Sequence, residues 1–75
     1  MNKETLTQIF LDRWREQSPT KFKAQDRTFL EREAKAAAEL AMAEIEAERW
    51  PGQTTEEVWS KVAPAFLKMR MPTQD

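Results

Sequence analysis

Residues 27–49 read RTFLEREAKAAAELAMAEIEAER, and their helical character decides the fold. Seven of these residues are alanine: Ala34, Ala36, Ala37, Ala38, Ala41, Ala43 and Ala47. Alanine loses no side-chain entropy in a helix, and the Leu, Glu, Lys, Arg and Met around it lose little. Leu30, Ala34, Ala37, Ala38, Ala41 and Ile45 recur at three- and four-residue spacing and form one apolar stripe. Ala36, Leu40, Ala43 and Ala47 form a second strip beside it. Asp26 or Thr28 can cap the start, Thr28 with Glu31 makes a capping-box pattern, and Glu31 to Lys35 is a supporting pair. At about 1.5 Å per residue the rod is roughly 35 Å long. Trp50-Pro51-Gly52 ends it.

The flanks are read outward from this rod. Residues 3–17 predict a helix capped by Asn2, with Leu6, Ile9, Phe10 and Trp14 on one face and Leu11 off it. Ser18-Pro19 stops that helix, because the residue before proline avoids the α region. A connector over 18–26 follows, with Phe22 as its one large apolar residue between Lys21 and Lys23. On the other side, Thr54 and Glu57 make a second capping box, and Glu56 and Glu57 suit the positive end of a helix dipole. Val58, Trp59, Val62, Phe66 and Met69 share a face of this third helix, which Pro64 is expected to kink or restart. Residues 71–75 read as a flexible tail. Nothing alternates with period two over strand length. The expected architecture is therefore all-α: one helical domain over 1–70, with a long central helix packed against two shorter ones.

A chain of 75 residues buries only about 60% of its unfolded surface. Lacking cysteine, it needs very regular packing or a second copy of itself. A helical homodimer is expected, with Leu30, Ala34, Ala37, Ala41 and Ile45 at the interface; the competing arrangement is a monomeric three-helix bundle. Alanine holds helix axes apart very little, so the stripe admits a close neighbour.

Composition narrows the chemistry. With no Cys, His or Tyr, the chain has no thiolate ligand, no histidine base and no Ser-His pair, so no enzyme is expected. Carboxylates are the remaining catalytic type. Glu44 and Glu48 share a helical face and resemble half of a divalent-cation site, but a solvated acidic face is the simpler reading, and no metal or cofactor is expected. Twelve Lys and Arg stand against thirteen Asp and Glu, for a net charge of −1. That balance does not hold a duplex or an anionic membrane by charge alone. No apolar run nears the roughly 18 residues of a membrane span, and a cytoplasmic protein is expected. Small three-helix chains are often helix-turn-helix modules, so a DNA-binding or DNA-accessory role is the alternative. Against it, the long helix is mostly acidic, and basic residues collect only towards the ends, as Lys21 and Lys23 in the connector and, separately, Lys68 and Arg70 at the C-terminus.

Three Trp in so short a chain favour protein binding, since Trp and Arg most often anchor interfaces. Trp14 and Arg15, at the end of the first apolar stripe, Phe22 in the connector and Trp50 at a helix terminus are the candidate partner-binding residues. Each aromatic has core packing as its other reading.

The run from Arg13-Trp14 through Ser18-Pro19, Phe22, Asp26 and Leu30-Glu31 into the charged, Ala-rich helix resembles small early proteins of transposable Pseudomonas phages. Among these it is similar to the quorum-sensing anti-activator family, over roughly residues 5–70. The resemblance implies a small helical dimer, acting in the host cell, that binds and inhibits a host protein. The implied targets are a LuxR-type quorum-sensing regulator, through its ligand-binding domain, and the type IV pilus assembly ATPase. It assigns no role to an individual residue.

Overall fold

The computed structural model describes residues 1–68 and 70–72. The described residues form four helices: α1 (Lys3–Gln17), α2 (Pro19–Ala24), α3 (Arg27–Glu48) and α4 (Thr55–Leu67). No strand occurs among the described residues. The fold is all-α, with the long helix packed against the shorter ones.

Local chemistry sets the boundaries. The Asn2 side chain accepts a hydrogen bond from the Thr5 backbone N–H at 2.8 Å. Asp26 caps α3 by accepting from the Thr28 N–H at 3.0 Å, so Asp26 takes the cap and Thr28 falls inside the helix. Glu31 therefore forms no capping box, and it pairs backward with Arg27 at 3.1 Å rather than forward with Lys35. Thr54 caps α4 through the Glu57 N–H at 3.2 Å, as its sequence pattern implies.

One expectation about proline changes, and the other narrows to a kink without a restart. The 18–26 connector contains a helix, because Pro19 sits at its first position, where a missing N–H costs nothing and the fixed φ is already helical. Pro64 lies inside α4, which runs through it as one element. Ser60 and Pro64 are both exposed, so water can solvate the carbonyl that loses its partner.

The two turns at α2 reverse the chain, so α3 runs back along α1, and α4 then lies alongside both. Lys3 bonds Glu39 at 3.0 Å, the Met1 amine pairs with Glu56, and the Gln17 side-chain amide donates to the Leu67 carbonyl at 3.1 Å. These links place the starts of α1 and α4 at one end and their last turns at the other. The body measures 43 × 18 × 17 Å.

The core is continuous along this rod. Leu6, Phe10, Leu11 and Trp14 of α1, and Val58, Trp59 and Val62 of α4, meet Leu30, Ala34, Ala37, Ala38, Ala41 and Ile45 of α3. Large side chains on the short helices fill the space that small ones on the long helix leave open. Phe10 is the hub, with ring centroids 6.1 Å from Trp14, 6.1 Å from Trp59 and 6.2 Å from Phe66, the latter two edge-on. Leu11, read as off the stripe, is buried. Met71, read as tail, is buried against the same core. Met69 and residues 73–75 of the expected tail lie outside the described residues. No helix among the described residues is long and apolar enough to cross a membrane.

Candidate interaction surface

The candidate binding residues divide between the core and the surface. Trp14 is only 3% exposed and stacks at a tilt on Phe10. It is a core residue, because its place at the end of the α1 stripe is roofed by the returning C-terminal segment. Phe22 is 9% exposed and plugs the bundle beneath α2, with the Arg27 guanidinium 5.8 Å above its ring. Neither is an exposed anchor. Arg15 is exposed and pairs with Asp12 at 3.3 Å, within its own helix.

Trp50 differs from all of these. It is 71% exposed, and among the described residues only Leu40, at 63%, joins it as a large exposed hydrophobic. Its setting is a tight turn over residues 50–53. Pro51 takes the second position and Gly52, with φ of 90°, the third, the arrangement of a type II turn. The Gln53 N–H donates to the Trp50 carbonyl at 3.0 Å, and the Gln53 side-chain oxygen accepts from the Trp50 N–H at 2.9 Å. The backbone beneath the indole is thus held from both sides. Around Trp50 opens a hollow of about 490 Å³, lined by Ala47, Arg49, Pro51, Gln53 and Lys61 among others. Trp50 and Arg15 do not form one patch. Arg15 lies in the last turn of α1, whereas the Trp50 turn leads into α4 at the end occupied by Met1.

The stripe expected to face a second copy is also accounted for. Leu30, Ala34, Ala41 and Ile45 are completely buried and Ala37 nearly so, all within one chain. The large residues of α1 and α4 already fill that face, so the dimer interface assigned to it is corrected. The second strip stays outside: Ala36, Leu40, Ala43 and Ala47 are exposed.

Tertiary structure also gathers charge that is scattered in sequence. Lys21, Lys68 and Arg70 line one hollow of about 510 Å³ with Gln17, Ser18 and Met71, where the ends of α1 and α4 meet α2. Nothing in the spacing of these residues signals the cluster, which depends on how α4 lies against α1. At the opposite end, the α3 terminus is acidic. There the Glu44 carboxyl is raised above its ordinary value of 4.5, first by a hydrogen bond with Glu48 and then by that neighbour's charge. Glu56 is lowered, chiefly by the N-terminal amine.

Compared with family models, with curated proteins and with solved structures, the chain matches none.

Proposed function

We propose that this chain is a binding protein that inhibits a host protein by occupying its surface, with Trp50 as the anchor. The observation that carries the reading is Trp50 itself. A large indole held outside the core by a doubly hydrogen-bonded turn is a preorganised contact, so little conformational freedom is lost when it docks. Arg49 beside it supplies the second residue type most enriched at interface centres. Inhibition follows by mass action, when an inactive conformation of the partner is stabilised or an assembly surface is covered.

The resemblance to phage anti-activators supplies the partner class: a LuxR-type regulator and the pilus assembly ATPase. Titrating each purified target with the chain tests this directly. Binding is expected, and Trp50→Ala should weaken it by at least about tenfold, the loss typical of a central anchor. Absence of binding to both targets rejects the partner class, and an unchanged affinity for Trp50→Ala rejects the anchor.

The second reading, a DNA-binding or DNA-accessory protein, is favoured by the Lys21, Lys68 and Arg70 cluster. It requires duplex binding that falls steeply with salt and weakens on Lys68→Glu.

A further inference from the structure

We propose that the hollow where the ends of α1 and α4 meet α2 binds the diphosphate group of a small ligand. The segments that meet there, residues 18–25 and 58–72, carry Lys21, Lys23, Lys61, Lys68 and Arg70 and no acidic residue. All thirteen Asp and Glu of the chain lie outside them. Lys3, Arg15 and Arg27 each have a carboxylate oxygen within 3.3 Å. Lys21, Lys68 and Arg70 have no ion pair among the described residues, and no described carboxylate lines the hollow of about 510 Å³ that they share. A concavity lined by one sign of charge concentrates its field, and an anion seated there relieves the repulsion among the cations.

The backbone around the hollow is fixed by interactions already made. The Ser18 N–H donates to the Trp14 carbonyl at 3.0 Å, and the Ser18 carbonyl accepts from the Phe22 N–H at 2.8 Å. The Ser18 side chain makes no capping bond, so its hydroxyl is left to serve the hollow that it lines. Gln17 ties the end of α1 to the Leu67 carbonyl at 3.1 Å, which brings Lys68 to the same place. Burial of Met71 anchors the chain beside Arg70. A phosphate monoester carries about 1.5 to 2 negative charges at neutral pH, fewer than the cations gathered here, and a diphosphate matches them more closely. Its compact charge suits one hollow better than a duplex does, because duplex phosphates extend along the helix. A long polyanion leaving past Arg70 also meets Glu33, which lines the adjoining hollow with Arg70. The site lies at the end of the rod opposite Trp50, so the failure of either reading leaves the other standing.

Titrating the full chain with inorganic pyrophosphate at low salt, followed by calorimetry and by amide NMR shifts, tests the proposal. Saturable binding is expected, with the shifts centred on Ser18, Lys21, Lys68 and Arg70. Lys68→Gln and Arg70→Gln should each weaken it about tenfold, the loss of one charge-assisted contact. Ser18→Ala should weaken it about threefold. Both basic residues are exposed, so their variants keep the fold, which circular dichroism checks. Lys35→Gln removes the same charge from an exposed position on α3, outside the hollow, and should change affinity by less than about twofold. Absence of saturation overturns the site. Equal losses from Lys35→Gln and Lys68→Gln overturn it too, because binding then follows net charge alone. A duplex that binds where pyrophosphate does not also overturns it, and returns the cluster to the DNA-binding reading.

Discussion

Trp14, Trp50 and Trp59 show how one residue type takes different roles according to what closes over it. Trp14 and Trp59 are roofed by neighbouring elements, and Trp50 is not. Trp14→Ala should therefore cost about 3–5 kcal/mol of stability, the usual range for emptying a buried aromatic site. Leu40→Ala should change stability by less than about 0.5 kcal/mol, since it empties no cavity. Urea unfolding of the two variants checks the contrast, and comparable losses would contradict the burial assigned to them. Gly52 isolates a backbone effect. A Cβ there meets nothing within 4 Å, but φ of 90° strains any L side chain. Gly52→Ala should destabilise by about 1–2 kcal/mol and loosen the Trp50 turn. If the variant melts with the wild type, the turn has another conformation.

At the scale of the element, α3 is reliable because every local choice in it favours helix. Propensity, the Asp26 cap and apolar spacing agree. The same consistency did not say which of its two strips faces inward. Both are apolar, both have helical period, and the choice depends on what α1 and α4 bring. Ala41 lies on the inner strip with no exposure. Ala41→Glu would bury a charge with no partner and should unfold the chain, rather than merely separate two folded copies. Circular dichroism distinguishes the outcomes, and a helical, cooperatively melting Ala41→Glu protein would return that strip to a surface role. Thr54→Ala removes the cap at the start of α4 and should cost about 1 kcal/mol. Faster amide exchange in the first turn of α4 would register it.

Across the whole molecule, charge is sorted more than a net of −1 suggests. Basic residues gather where α2 meets the ends of α1 and α4, and the last turns of α3 are acidic. The pH dependence follows from two exposed carboxyls with opposite signs. Glu44 is raised, so its contribution to stability is complete below 4.5 and is lost as pH rises through its shifted value. Glu56 is lowered, so its contribution is present above 4.5 and is lost as pH falls through its shifted value. Glu44→Gln should raise the melting temperature at neutral pH, and the gain should shrink as pH falls towards the ordinary glutamate value of 4.5. Added salt should shrink it too, because the pair is exposed. A lower melting temperature at neutral pH would show that the Glu44–Glu48 contact is not repulsive.

What could be read directly from the chain was local. Helix boundaries at Asn2, Asp26 and Thr54, the apolar faces of three helices and the break at Trp50-Pro51-Gly52 each rest on interactions within a few residues, which sequence displays. The helix at Pro19 was missed although its signal was present, since a proline that ends one helix is equally suited to begin the next. Other features depended on contacts between residues far apart in the chain. The burial of Trp14, Phe22 and Met71, the outward turn of Ala36 and Leu40, and the gathering of Lys21, Lys68 and Arg70 follow from the way α1 and α4 lie on α3. Periodicity marks a face as apolar but carries no information about its neighbour. Burial belongs to the pair of surfaces, and only the packed chain supplies the second one.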